Sequence, residues 1–232
     1  MLKGWKLILA SLIGSALVLS GLVWWHGEKQ PPELLTDSEL TLDGPLTAEE
    51  QKVNNPIISN DMNPTAVIKT NMGTIEMELF ADLMPITTGN FIALAESGFY
   101  NDTKFHRVID SFMIQGGDPN SKGNDESIYG TGGPGKTIQD EFVADEKLSN
   151  TRGTIAMANT GQPNSGGSQF FINLVDNTGL DFDKPPFTSK HPVFGRVKSG
   201  MDIVDQIGAA ETKAGDIPVK PIIVESVTIL RN

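Results

Sequence analysis

Cysteine is absent from the 232 residues of the chain, and histidine occurs only three times. The lack of cysteine excludes disulfide bonds, thiolate zinc sites, thiol nucleophiles and a lipid-modified cysteine anchor. Three histidines are too few for a histidine-rich metal site, so we expect no metal and no cofactor. The formal net charge of −11 disfavours nucleic acid as a partner, because the phosphates would be repelled.

The longest apolar run of the chain lies at its N-terminus. Residues 7–25 read LILASLIGSALVLSGLVWW, carry no charge and follow Lys3 and Lys6. As a helix this run would reach about 28 Å, close to the roughly 30 Å hydrocarbon core of a bilayer. The tryptophan pair that ends it suits the far interface. We therefore interpret residues 1–25 as a signal-anchor or transmembrane segment, with a buried core helix as the less favoured alternative.

A cleaved signal peptide is the other alternative for this segment. A cleavage site needs small residues at alternate positions, and residues 14–16 (GSA) and 18–20 (VLS) match that pattern only partly. Two lysines precede the run, whereas Glu28 and Lys29 follow it, so the positive-inside tendency places the short N-terminus in the cytoplasm. The sequence predicts a single-pass cell-membrane protein with an extracytoplasmic domain, or a secreted protein if the segment is removed.

Residues 26–64 are acidic, contain a proline pair and have few large apolar side chains. Such a segment cannot bury enough surface to offset the entropy of ordering it, so we expect a flexible linker. Residues 47–50 (TAEE) resemble a capping box, which favours a short helix there. A docking peptide for a partner is a further alternative. Residues 65–232 are long enough to form one domain with a substantial core.

The residues from 65 onward alternate short β-type runs with turn and helix signals. Residues 71–73 (NMG) separate two such runs and predict a hairpin. Pro85 and Gly98 bracket a helical pattern, and a second short helix is centred on Val204. A strand over residues 222–230 closes the chain. Many short strands with two helices predict a closed barrel, which leaves no sheet edge exposed.

Residues 105–118, FHRVIDSFMIQGGD, place one arginine among apolar residues. Arginine is seldom buried without a partner, so Arg107 is either paired structurally or directed into a cleft. Downstream, residues 167–174 (GSQFFINL) supply a second apolar run headed by Gln169. The glycine-rich GTGGPG at residues 130–135 lacks the GK[ST] ending of a phosphate-binding loop, so we interpret it as a surface loop.

Together these segments closely resemble the cyclophilin family of peptidyl-prolyl cis-trans isomerases. The resemblance spans residues 65–232 and includes VIKTNMGTIEMELF, PITTGNFIALAESG, TIAMANTG and HPVFGRVKSGMDIVDQI. It implies a mainly β fold, a closed eight-stranded antiparallel β-barrel capped by two α-helices. It also implies catalysis of rotation about Xaa-Pro peptide bonds. The expected partners are proline-containing peptides and unfolded or folding proteins, here exported or envelope proteins.

The resemblance assigns roles to individual residues through their positions in the shared motifs. Arg107 is the expected catalytic arginine, which donates to the prolyl nitrogen, and Gln115 is expected to hold the arginine and the substrate in place. The expected proline pocket consists of Phe112, Met113, Phe171 and Leu180. The expected substrate groove consists of His106, Ala158, Asn159, Gln169 and His191, with Asn159 binding the peptide backbone.

Alternatives based on packing and on binding stay open. The apolar pocket residues are also what an ordinary core contains, and Arg107 is also what a structural ion pair needs. At the level of function, the alternatives are a proline-peptide-binding module without turnover and an envelope scaffold. Gly179 stands where well-studied members carry a tryptophan that contacts cyclosporin, so we expect weakened cyclosporin binding. Residues 181–190 form an insertion relative to compact members, on which the placement of Leu180 and His191 depends.

Overall fold

The computed structural model describes residues 63–231 of the chain. The apolar run of residues 7–25 and the predicted linker up to residue 62 lie outside the described residues. Across residues 63–231, no helix is both long enough and apolar enough to cross a membrane.

The described part of the chain is mainly β. Its helices are α1 (Pro85–Glu96) and α2 (Met201–Gly208). Its strands are β1 (Thr65–Thr70), β2 (Gly73–Leu79), β3 (Arg107–Ile109), β4 (Met113–Gly116), β5 (Thr154–Met157), β6 (Phe170–Asn173), β7 (Val193–Ser199), β8 (Thr212–Lys213), β9 (Ile217–Pro218) and β10 (Val224–Leu230).

Eight strands form one curled antiparallel sheet in the order β10-β1-β2-β7-β5-β6-β4-β3, and β8 and β9 form a separate hairpin. The sheet is therefore a half-barrel, which corrects the prediction of a closed barrel. Its terminal strands, β10 and β3, do not pair with each other. The chain that faces β10 is the segment just before β3. There an isolated bridge pairs Lys104 with Ile223, and the N–H of Phe105 donates to the carbonyl of Ile222 at 3.0 Å.

The β1–β2 hairpin confirms the turn predicted at residues 71–73. The hydroxyl oxygen of Thr70 accepts hydrogen bonds from the N–H groups of Met72 and Gly73, each at 3.1 Å. At the other end of the hairpin, the N–H of Leu79 donates to the carbonyl of Pro64 at 2.9 Å. A residue that the sequence assigns to the linker is therefore already bonded to the sheet.

Helix α1 begins at Pro85 and is followed by Gly98 at a φ of 73°, as the sequence predicts. Its N-terminus is capped from a distant part of the chain. The carboxylate of Glu141 accepts from the N–H groups of Ile86 and Thr87 at 3.0 and 2.8 Å. This contact satisfies two N–H groups that the helix leaves free and places a negative charge at its positive end.

The inner face of the curled sheet and α1 enclose an aromatic core. The ring of Phe91 lies 5.0 Å from that of Tyr100 and 5.4 Å from that of Phe194. Ile114 and Ile172, which pair across β4 and β6, are fully buried on the same side. Because side chains alternate along a strand, the neighbours of these residues point to the outer face of the sheet.

Candidate active site

Four adjacent strands present one row of residues on that outer face. The ladder pairs Arg107 of β3 with Gln115 of β4, and Gln115 with Phe171 of β6. Phe171 in turn pairs with Ala156 of β5. Directly paired residues of antiparallel strands share a face, so these four side chains lie side by side. A guanidinium group and an aromatic ring therefore flank one amide.

Apolar side chains extend this row along β4. Met113 lies two residues before Gln115, so it shares the outer face and lies diagonally across from Phe171. Phe112 is anchored by its carbonyl, which accepts from the N–H of Leu174 and from Nδ2 of Asn177, each at 2.9 Å. Met113 and Phe171, two of the residues predicted for the proline pocket, thus share a face with the predicted catalytic arginine, and Phe112 directly precedes Met113 in the chain.

Leu180 and His191 are neighbours, although the insertion of residues 181–190 separates them in the chain. The N–H of His191 donates to the carbonyl of Leu180 at 3.0 Å, so the insertion leaves and rejoins the domain at one point. The ring of His191 meets that of Phe171 edge-on, with 5.4 Å between centroids. Leu180 and His191 therefore border the same face as Met113 and Phe171.

The protonation state of His191 follows from its surroundings. Burial lowers the pKa of His191, and the hydrogen bond to the carbonyl of Met157 only partly opposes this effect. Nδ1 lies 3.1 Å from that carbonyl oxygen, so Nδ1 carries the proton of the neutral ring. Nε2 is then left as an acceptor.

A buried carboxylate fixes the start of the insertion. Asp181 accepts from Oγ of Ser149 at 2.6 Å, from the N–H and Nδ2 of Asn150 at 2.7 and 2.8 Å, and from Nζ of Lys184 at 2.8 Å. Burial alone would raise the pKa of Asp181. The hydrogen bonds from Lys184, Ser149 and Asn150 outweigh burial and hold the pKa below its ordinary value.

A cavity of about 210 Å³ opens next to the row. Its lining includes Gln115, Ala158, Asn159 and Gln169, together with residues 130–134. The glycine-rich GTGGPG segment is thus a surface loop, as the sequence indicates, and also a wall of the cavity. Its composition alone did not reveal that second role.

Two glutamines tie the cavity walls together. Nε2 of Gln115 donates to Oε1 of Gln169 at 2.9 Å. Nε2 of Gln169 donates to the carbonyls of Gly130 and Gly132 at 2.9 and 2.8 Å. Gln115 therefore belongs both to the outer-face row and to the cavity wall, where it can contact a ligand that spans the two.

The side chain of Asn159 is engaged within the protein. Its Nδ2 donates to the carbonyl of Lys190 at 2.7 Å, and its Oδ1 accepts from the N–H of Gly161 at 3.0 Å. These bonds join the insertion to the cavity wall. The N–H of Ala158 donates to the carbonyl of Gln169 at 2.9 Å, which secures the same wall to the residue just before β6.

His106, predicted for the substrate groove, is buried beneath the glycine-rich wall, with 3% of the residue exposed. It directly precedes β3 and is not among the residues that line the cavity. Burial lowers the pKa of His106, although the charge of Asp118 opposes this shift. Neither ring nitrogen has a hydrogen-bond partner within the described part of the chain.

Arg107 is paired with Asp216, a residue that the sequence gave no reason to single out. Nε of Arg107 lies 3.3 Å from Oδ2 of Asp216. Gln115 was expected to hold the arginine, but among the described residues it makes no hydrogen bond to Arg107 and bonds to Gln169 instead. Residues 213–216 (KAGD) form the turn between β8 and β9, and their composition cannot indicate which strand that hairpin contacts.

Comparison with known proteins identifies the fold around this row. The sequence model described as "Cyclophilin type peptidyl-prolyl cis-trans isomerase/CLD" matches residues 65–229. The chain belongs to the cyclophilin family.

This cyclophilin has relatives in distant organisms. It is 43% identical over 160 residues to the peptidyl-prolyl cis-trans isomerase-like 1 of Mus musculus, and the alignment covers 68% of this chain and 88% of the mouse protein. It is 41% identical over 171 residues to the peptidyl-prolyl cis-trans isomerase of Acinetobacter baylyi, and that alignment covers 72% of this chain and 86% of the bacterial protein.

A solved structure agrees with the fold. The crystal structure of a cyclophilin type peptidyl-prolyl cis-trans isomerase from Cryptosporidium parvum, obtained in the presence of the dipeptide Ala-Pro, superposes with a TM-score of 0.62 at 31% sequence identity. The match covers 72% of this chain and 99% of the parasite protein. The cyclophilin domain is thus that of an enzyme that catalyses Xaa-Pro isomerisation.

Isomerisation sets modest chemical requirements. Rotation about an Xaa-Pro bond breaks no covalent bond, and its obstacle is the amide resonance barrier of about 18–20 kcal/mol. A catalyst needs an apolar site for the proline ring, a donor near the prolyl nitrogen and a grip on the flanking backbone. Neither a nucleophile nor a proton shuttle is required, which suits an outer-face row made of one arginine, amides and apolar side chains.

Proposed function

We propose that the outer-face row is the active site of this isomerase and that the enzyme assists the folding of exported proteins from a membrane anchor. One observation carries the assignment of the site. Arg107, Gln115 and Phe171 are paired in succession across three adjacent strands, so a donor and an apolar surface lie on either side of one amide.

Each part of the row has a role in this proposal. The proline ring packs against the pocket, and the guanidinium of Arg107 donates to the prolyl nitrogen as its lone pair localises in the twisted state. Gln115 contacts the substrate between them. The proposed pocket consists of Phe112, Met113, Phe171 and Leu180, and the proposed groove wall of Ala158, Asn159, Gln169 and His191. The Ala-Pro dipeptide used with the Cryptosporidium parvum relative supports a proline-containing substrate.

Magnitudes show that the arginine cannot act alone. A charge-assisted hydrogen bond contributes about 1.5–3 kcal/mol net. A millionfold acceleration requires about 8 kcal/mol of transition-state stabilisation. The remainder has to come from the apolar pocket and from fixed dipoles in a groove that excludes water. The Gln115–Gln169 hydrogen bond fixes one such dipole.

Exchange spectroscopy separates an isomerase from a pure binder. We would titrate the full 232-residue chain, purified in a mild detergent, into an Ala-Pro-containing peptide and follow cis-trans exchange by NMR. The proposed function predicts exchange far faster than the uncatalysed time of tens to hundreds of seconds. Peptide binding without accelerated exchange would instead show a binding module, and the absence of both would favour the scaffold alternative.

The proposed location rests on the first 25 residues. Residues 7–25 have the length and composition of a membrane-spanning helix, and Lys3 and Lys6 precede them. We propose a single-pass anchor in the cell membrane with the isomerase domain outside the cytoplasm, where unfolded exported chains emerge. Secretion after signal-peptide cleavage is the alternative.

An anchored chain is expected to stay with the membrane fraction after carbonate washing. Replacing Leu17 with arginine, near the middle of the run, is expected to release the protein, because arginine at the centre of a membrane helix costs about 2.5–3.5 kcal/mol. Leu17→Ala serves as the matched control and should stay bound. N-terminal sequencing of a mature protein that begins near Gly21 would show cleavage instead.

Cyclosporin is expected to bind this protein weakly because Gly179 offers no aromatic surface. A Cβ built on Gly179 would lie 3.8 Å from the nearest atoms, in Pro185 and Pro186, so the backbone there accepts a Cβ without a clash. Gly179→Trp should therefore strengthen binding roughly tenfold by adding buried apolar area. Calorimetry on the wild type, Gly179→Trp and Gly179→Ala would test this, and equal affinity of all three would contradict it.

A further inference from the structure

We propose that Asp216 is a positioning residue that holds the guanidinium of Arg107 in its catalytic orientation. This inference rests on the proposed function and adds to it a residue outside the groove. It follows from where the β8–β9 hairpin contacts β3, and from which edge of the guanidinium that contact occupies.

The hairpin meets β3 through two hydrogen bonds made by one residue. The N–H of Val108 donates to the carbonyl of Asp216 at 2.8 Å, and Nε of Arg107 donates to its carboxylate at 3.3 Å. The main-chain bond fixes the distance between the turn and β3. The carboxylate is therefore presented to the side chain of Arg107 from a fixed point.

The contact uses only one edge of the arginine. With Nε directed at Asp216, the two terminal nitrogens of Arg107 remain to donate elsewhere, because the guanidinium is a planar group with five N–H donors in a fixed geometry. Within the described part of the chain, neither terminal nitrogen makes a hydrogen bond. The pair therefore orients the side chain while leaving the donors that a prolyl nitrogen requires.

The exposure of the pair points to orientation rather than to stability. The side chains of Arg107 and Asp216 are 43% and 46% exposed, and an ion pair at such a site contributes little to folding. An arginine that is not held samples several rotamers, and loss of alignment reduces turnover. Removal of the carboxylate should therefore affect the rate much more than the melting temperature.

The backbone at Asp216 determines which variants are informative. Its φ of 61° lies in the left-handed region, where asparagine and glycine are well tolerated and alanine is strained. Asp216→Asn keeps an acceptor oxygen but removes the charge. Asp216→Gly removes the side chain without introducing backbone strain. Both variants keep the carbonyl that accepts from Val108.

The test is steady-state exchange kinetics on the full chain in detergent. We expect Asp216→Gly to lower kcat about tenfold, as a misaligned catalytic group would, with KM changed by less than about twofold. Asp216→Asn should fall between the wild type and the glycine variant. The NMR signal of the Arg107 Nε–H group should shift in both variants, which reports the contact independently of activity.

Two controls separate orientation from a general loosening of the hairpin. Glu126→Gln removes the partner of Lys213, whose Nζ lies 2.8 Å from the Glu126 carboxylate and ties the same hairpin to another loop. This variant should keep wild-type kinetics. In an Arg107→Ala background, Asp216→Gly should cause no further loss, because the side chain through which it acts is gone.

The outcomes separate the positioning role of Asp216 from the proposed function of the enzyme. An active wild type with wild-type kcat in Asp216→Gly would overturn the positioning role alone. An equal loss in Glu126→Gln, or an undiminished loss in the Arg107→Ala background, would also overturn it. A folded wild type without any isomerase activity would overturn the proposed function and this inference with it.

Discussion

Replacement of Arg107 by alanine is expected to lower kcat/KM by about 10²–10³-fold, the usual effect of removing a donor aimed at the transition state. The reason is that the side chain lies next to Gln115, in the row that continues to Phe171, and supplies the positive donor of that row. The measurement is cis-trans exchange of an Ala-Pro peptide, with circular dichroism as the check on folding.

Two variants sharpen this result. Arg107→Lys keeps the charge but loses the planar fork and the Nε donor that Asp216 accepts, so an intermediate activity is expected. Arg196→Ala removes a similar surface pair, in which Nε of Arg196 donates to Glu78 at 2.9 Å, and should leave activity unchanged. Comparable activity of Arg107→Ala and the wild type, with unchanged dichroism, would remove Arg107 from the mechanism.

Strand periodicity accounts for part of the candidate site, because Met113, Gln115 and Phe171 lie within short strands. Met113 and Gln115 are two residues apart, so their shared face follows from strand periodicity. The family resemblance then linked them to Phe171, which β-pairing places directly beside Gln115.

The contact between Arg107 and Asp216 could not be predicted in this way. The two residues are 109 positions apart, and Asp216 lies in a hairpin outside the main sheet. Periodicity describes how a segment folds locally, but not which distant loop docks on it. Loop docking likewise buries His106 under the glycine-rich wall, a contact that the shared motif does not indicate.

The fold shows the same division between local and long-range information. Turn residues predicted the β1–β2 hairpin, Pro85 and Gly98 predicted the limits of α1, and the apolar residues around Val204 predicted α2. Closure of the sheet depends on how the segments before β3 and β10 meet at Lys104 and Ile223. The sequence carries no local signal for that meeting, so it predicts a closed barrel, whereas the structure has a half-barrel whose terminal strands β3 and β10 do not pair with each other.

Asp181→Asn is expected to lower the free energy of unfolding by about 2–4 kcal/mol, because it leaves buried donors without their charged acceptor. The carboxylate is nearly inaccessible, and it accepts from Ser149, Asn150 and Lys184. The same residue follows Leu180 directly, so its loss should also raise KM by loosening the insertion. Urea unfolding at neutral pH measures the first effect, and exchange kinetics measure the second.

The pH dependence of this variant gives the most specific test. The folded-state pKa of Asp181 lies below the ordinary 3.8, so its stabilising effect is complete above that value and is lost as the pH falls through the folded pKa. The stability difference between wild type and Asp181→Asn should therefore be constant from about pH 5 to 7 and shrink below about pH 4. Asp205→Asn, at an exposed pair with Arg152, should change stability by less than about 1 kcal/mol. A difference between wild type and Asp181→Asn that stays constant into strong acid would show that the buried hydrogen bonds do not depend on the carboxylate charge.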